Sequence, residues 1–63
     1  MKTITVIYRD HAWYLAHEAQ MTDLLHAYLK GEYRGEFRIE FDMDGCVTID
    51  TDNQDIVDEI KGI

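Results

Sequence analysis

The residues of this chain that could do chemistry are three histidines, one cysteine and a surplus of carboxylates. A metal site is the first possibility to weigh. His17-Glu18 opens like the zinc-protease pattern His-Glu-x-x-His, but Met21 stands where the second histidine would be. His11, His17 and His26 do not recur at four-residue spacing on one helix face, and Cys46 alone completes no zinc set. His17 falls within an apolar stripe and reads as a satisfied, half-buried histidine, while His11 and His26 read as surface residues. Asp42-Met43-Asp44-Gly45 begins like a calcium loop. It lacks a third ligand before the glycine, and Thr51 occupies the place of the bidentate glutamate. No metal or other cofactor is expected.

Catalysis is not expected either. General acid work needs a pocket that raises one carboxyl group's pKa, and 63 residues can hardly enclose one. No glycine-rich phosphate loop or nucleophile elbow occurs. Cys46 has no basic neighbours in sequence to activate a thiol, and reads as a small apolar residue buried at the start of a strand.

The charge distribution is more informative. Six basic and 13 acidic residues give a net charge of −7. Residues 1–38 are neutral, with Asp10, Glu18, Asp23, Glu32 and Glu36 against Lys2, Arg9, Lys30, Arg34 and Arg38. Residues 39–63 hold Glu40, Asp42, Asp44, Asp50, Asp52, Asp55, Asp58 and Glu59 against Lys61 alone. Affinity for phosphate comes from clustered Lys and Arg, so direct binding to nucleic acid or to an acidic membrane is disfavoured. With one cysteine no intrachain disulfide is possible, which suits a reducing compartment. Arg9 and Asp10 cut short the apolar start, so a signal peptide is not expected and the cytoplasm is the expected location.

The elements that must position these carboxylates follow from periodicity. Residues 2–8 alternate and are rich in β-branched types, with Ile4, Val6 and Tyr8 on one side and Thr3, Thr5 and Ile7 on the other, which predicts a strand. Asp10 is placed to cap a helix. From Ala12 to Lys30, Trp13, Tyr14, Met21, Leu24, Leu25 and Tyr28 share one face at helical spacing, and Gly31 supplies a left-handed stop. Trp13-Tyr14-Leu15 has an alternative reading as a strand paired with residues 4–8. Residues 36–42 alternate strictly, with Phe37, Ile39 and Phe41 inward. Met43-Asp44-Gly45 reads as a turn, and residues 46–50 return as the second strand of a hairpin. Thr51 to Gln54 matches a capping box opening a short helix, with Ile56, Val57 and Ile60 inward and Gly62 at its end. The expected fold is α+β, one small β-α-β-β-α domain over residues 1–63. Its antiparallel three-stranded sheet packs against one long helix, followed by a short C-terminal helix.

In this arrangement Glu40 and Asp42 are neighbours about 6.7 Å apart along one strand face, with Asp50 across the hairpin and Asp44 at its turn. Asp52, Asp55, Asp58 and Glu59 decorate the last helix. Two like charges about 7 Å apart in water cost on the order of 0.6 kcal/mol before salt screening. Asp52 and Asp55 gain from the helix dipole, but the others gain nothing local. A solvated face that keeps the chain soluble is one account. The other is a partner-binding surface made of Glu36, Glu40, Asp42, Asp44, Asp50, Asp52, Asp55, Asp58 and Glu59. Such a surface would be arrayed like a nucleic-acid backbone and offered to a basic nucleic-acid-binding protein, with Tyr33 or Trp13 as apolar anchors.

The whole-chain size and the acids from Glu40 to Glu59 resemble small phage-encoded inhibitors, the anti-CRISPR proteins of the DNA-mimic kind. The resemblance implies a CRISPR effector complex, of the Cascade type, as partner, blocked where it inspects target DNA in the host cytoplasm. Residues 35–60 carry a second resemblance. Gly45-Cys46-Val47-Thr48, followed by Thr51 and an acidic helix, is similar to HicB-type antitoxins, which implies an acidic antitoxin covering a basic toxin. Asp44 stands where that family has proline. The oligomeric state is left open.

Overall fold

A computed structural model describes residues 3–63. Six elements follow in order: β1 (Thr5–Asp10), α1 (His11–Ala16), α2 (Glu18–Leu29), β2 (Phe37–Phe41), β3 (Cys46–Thr51) and α3 (Gln54–Lys61). Lys2, where the first strand was expected to begin, lies outside the described residues. The strands form one antiparallel sheet in the order β1-β3-β2, so the strand of the central column is the last one made. Ile7 lies opposite Ile49, which lies opposite Ile39, and this row fixes the register.

One face of the sheet is buried. Ile7, Val47 and Ile49 point into a core completed by Met21 and Leu24 of α2 and by Ile56, Val57 and Ile60 of α3. Both helices therefore lie on the same side, and among the described residues no element covers the other face of the sheet. Trp13, Tyr14, Tyr28, Tyr33, Phe37, Ile39 and Ile63 pack around this core. Phe41 was expected inward. It stands on the core side but remains 56% exposed, at the end of β2, with the rings of His11 and Tyr14 against it at 5.8 and 4.9 Å between centroids.

The helical stretch from residue 11 to 29 is real, and the strand alternative for Trp13-Tyr14-Leu15 is not realised. Asp10 starts it as a helix cap, its Oδ1 accepting the Trp13 N–H at 2.7 Å. A single long helix was expected, but the stretch breaks at His17 (φ −122°, ψ 23°). The His17 N–H reaches both the Trp13 and Tyr14 carbonyls at 3.1 Å, and its ring Nδ1 lies 2.8 Å from the same Trp13 oxygen. A side chain entering the backbone ladder is a recognised cause of a kink. The ring also stacks against Trp13 at 4.9 Å. His17 is thus the half-buried, satisfied histidine anticipated, with the added role of dividing α1 from α2.

Gly31 (φ 89°) ends α2 in a Schellman arrangement: its N–H bonds to Tyr28 and that of Glu32 to Ala27, both at 3.0 Å. At the other end of the sheet Met43-Asp44-Gly45 forms a three-residue hairpin loop. The Gly45 N–H bonds to the Asp42 carbonyl at 3.2 Å, and Gly45 takes the left-handed conformation (φ 82°) that closes such loops.

The start of α3 corrects the sequence reading. Thr51 does not cap it in a Thr-x-x-Gln box. Thr51 is the fully buried last residue of β3, and its hydroxyl donates to the Glu36 carbonyl at 2.6 Å. Asn53 caps the helix instead, its Oδ1 accepting the Asp55 N–H at 2.8 Å. The sheet's burial claims the threonine, and the next free side-chain oxygen takes the helix.

Candidate functional site

Strand alternation sorts the candidate residues before any contact is considered. On β3, Val47, Ile49 and Thr51 are buried, so Cys46, Thr48 and Asp50 face the open side. Cys46 is therefore an exposed free thiol and not the buried residue expected. On β2 the open side carries Arg38 and Glu40. Asp50 pairs with Arg38 on one flank and with Val6 on the other; Thr48 pairs with Glu40 and with Tyr8.

The acids expected to form one partner-binding surface are divided among three places. Glu40 and Asp50 occupy the open face as diagonal neighbours about 7–8 Å apart, and Asp42 and Asp44 continue from Glu40 into the exposed hairpin loop. Asp55, Asp58 and Glu59 are exposed on α3, in the layer on the opposite side of the sheet. The third place is the junction between the loop before β2 and the end of β3. There Asp52 is half-buried and accepts the Glu36 N–H at 2.8 Å, so this carboxylate holds structure together. The ninth, Glu36, is exposed and lines a shallow groove with Arg38 and Asp50, so the nine acids are split between the open side of the sheet, the junction and the helix layer.

Among the described residues one ion pair occurs, Arg38–Glu40 at 3.5 Å, with side chains 72% and 52% exposed. Exposed pairs of this kind contribute about 0–1 kcal/mol. Asp58 accepts a hydrogen bond from the neutral amide of Gln54 at 2.9 Å, one helical turn away. Glu59 shares a groove between α2 and α3 with Gln20, Asp23 and Tyr33, so Asp23 joins the α3 acids although it lies in the neutral half of the sequence.

Comparison with protein-family models, curated proteins and solved structures finds no match to this chain. The surface must speak through its own geometry. Among the described residues no group of three or more His, Cys, Asp or Glu is arranged to hold a metal, and no helix is long and apolar enough to cross a membrane.

Two features escaped the sequence reading. The first is the apolar column Ile4, Val6 and Tyr8, which is 42%, 45% and 69% exposed along the open face. Both sides of this strand carry apolar residues, so alternation alone does not say which side is buried. The second is the junction built on Asp52. Around it the Asn53 side chain donates to the Arg34 carbonyl at 2.8 Å, and the Tyr28 hydroxyl donates to the Gly35 carbonyl at 2.9 Å. These contacts join residues up to 19 apart, a span that no local pattern records. Trp13 and Tyr33, considered as anchors, are half-buried and packed against the core.

Proposed function

We propose that this domain is a non-catalytic inhibitor that binds a basic surface of a nucleic-acid-binding protein, through the carboxylates of its β2–β3 hairpin. The observation that carries this reading is the run Asp50, Glu40, Asp42 and Asp44. It is continuous from the open sheet face into the hairpin loop, and among the described residues its one ion-pair partner is the exposed guanidinium of Arg38. Alternate residues on a strand are spaced about 6.7 Å apart, so the hairpin holds its negative charges in a stiff row. A row on a paired strand costs little conformational entropy on binding, and its field speeds encounter with a cationic groove. The anti-CRISPR resemblance supplies the kind of partner: a Cascade-type effector whose DNA-binding surface is basic. The α3 acids belong to the opposite layer and act, in this reading, through long-range attraction and solubility.

The test is competition. A purified Cascade-type effector is titrated with a target duplex in the presence of the protein, and retention of the duplex is followed. Wild type should displace the duplex, and inhibition should weaken steeply with added salt. Neutralising the hairpin row (Glu40→Gln, Asp42→Asn, Asp44→Asn, Asp50→Asn) should remove inhibition. Neutralising α3 (Asp55→Asn, Asp58→Asn, Glu59→Gln) should leave most of it. Equal loss in both variants, or inhibition indifferent to the hairpin row, counts against the reading.

A further inference from the structure

The two edges of the sheet are built differently. β2 is guarded: along residues 36–42 Glu36, Arg38, Glu40 and Asp42 alternate with the apolar residues, the usual protection against edge-to-edge pairing. β1 is not. Residues 3–8, Thr-Ile-Thr-Val-Ile-Tyr, contain no charge, proline or glycine, the composition of a segment that seeks another strand.

The hydrogen-bond pattern shows what this edge offers. The His11 N–H bonds to the Gly45 carbonyl at 2.7 Å, continuing the β1–β3 register by one bonded pair. Bonded and non-bonded pairs alternate in an antiparallel ladder. Thr5, Ile7 and Arg9 therefore turn their backbone groups toward β3, and Val6 and Tyr8 turn theirs outward. Among the described residues no strand pairs with that outer edge. The Tyr8 carbonyl accepts the Arg9 guanidinium at 2.9 Å, while the same guanidinium lies 5.4 Å from the centre of the Trp13 ring. Arg9 thus occupies one lone pair of that acceptor, and the Val6 N–H and C=O, the Tyr8 N–H and the second lone pair of the Tyr8 carbonyl still face outward.

We infer that β1 is a self-association edge, pairing antiparallel with β1 of a second copy about a two-fold axis at Val6 and extending the sheet to six strands. The sequence is self-complementary in this register. Val6 meets Val6 and Ile4, the residue just before β1, meets Tyr8 of the other copy; Val6 and Tyr8 are outward-bonding positions, and the open-face column of one copy continues into that of the next. Aromatic–β-branched cross-strand pairs of this kind favour the register. Electrostatics select β1 over β2. Arg9 and Asp10 leave β1 neutral, and the two Asp10 residues would lie eight residues apart along the strand, about 27 Å and well beyond the screening length. A two-fold axis at Ile39 of β2 would instead set Glu36 against Asp42, with Arg38 against Glu40 between them, and leave a stretch of net charge −2 in each copy. An isologous strand edge gives a closed dimer, not a chain of copies, because each sheet has one unguarded edge.

The test is sedimentation equilibrium of the full chain from low micromolar to near-millimolar concentration. Amide exchange at Val6 and Tyr8 is measured alongside. The mass should rise from 7.4 kDa toward twice that value, and both amides should become protected as it does. Val6→Lys sets like charges against each other at the axis and should weaken association at least tenfold. Tyr8→Glu, at a position 69% exposed, should do the same with the fold intact by circular dichroism. Glu40→Lys should leave it unchanged. A chain that stays monomeric throughout overturns the inference. So does a dimer that survives both β1 variants, or one abolished by Glu40→Lys alone. None of these readings depends on the inhibitor assay.

Discussion

Gly35 tests the junction that ties the β2 approach to α3. Its φ is +91°, and a Cβ placed on it would overlap the Asp52 carboxylate, whose atoms are its three nearest neighbours. Gly35→Ala therefore carries two costs. A left-handed backbone costs an L-residue about 1–2 kcal/mol. Moving the Asp52 carboxylate breaks its bond to the Glu36 N–H, a charged hydrogen bond of about 1.5–3 kcal/mol. The sum, about 2.5–5 kcal/mol, is a large part of the roughly 3–9 kcal/mol expected for a domain of this length. Gly31 provides the control, because its φ is nearly the same (+89°) and nothing lies within 4 Å of its added Cβ. Gly31→Ala should cost only the backbone term. Urea denaturation of the two variants isolates the contact term as their difference, about 1.5–3 kcal/mol. In an Asp52→Ala background that difference should vanish, since the obstruction and the hydrogen bond are both gone. Equal destabilisation by Gly35→Ala and Gly31→Ala would refute the argument and return Asp52 to the pool of surface acids.

Two further predictions follow from corrected expectations. Cys46, exposed on the open face, should react with a thiol reagent in the folded protein at a rate within about tenfold of the urea-unfolded chain; protection by several orders of magnitude would mean that the β3 alternation is misassigned. Thr51→Val should cost about 1–3 kcal/mol, because it removes the hydroxyl that donates to Glu36 and accepts the Asn53 N–H at 3.1 Å, whereas Asn53→Ala should cost about 1 kcal/mol for the helix cap plus its bond to Arg34. Thermal unfolding of both variants checks this, and a Thr51→Val protein as stable as wild type would show that the buried hydroxyl contributes nothing.

Much of the fold was legible in residue order because its signals are local. The alternation of residues 36–42, the Asp-Gly turn, the Asp10 cap and the Gly31 stop each depend on a few neighbouring residues, and each is where it was expected. The same locality explains the misses. Thr51 to Gln54 satisfies a capping pattern that burial in β3 overrides, and the ring of His17 interrupts a helix whose apolar spacing continues unbroken across it. Cys46 was read by residue type, but the sheet's inward parity, set by Val47 and Ile49, turns it outward.

The amino-acid order alone determined the acidic C-terminal third, the strand and helix segments and the α+β class, since charge and periodicity are properties of the chain in one dimension. Only the tertiary structure decided which carboxylates are companions. Packing α2 and α3 on one face of a sheet whose middle strand is β3 sends Glu40 and Asp50 to one side and Asp55, Asp58 and Glu59 to the other. It also left Ile4, Val6 and Tyr8 in the open, because three strands and two covering helices have one buried face between them and Ile7 already fills β1's share of it.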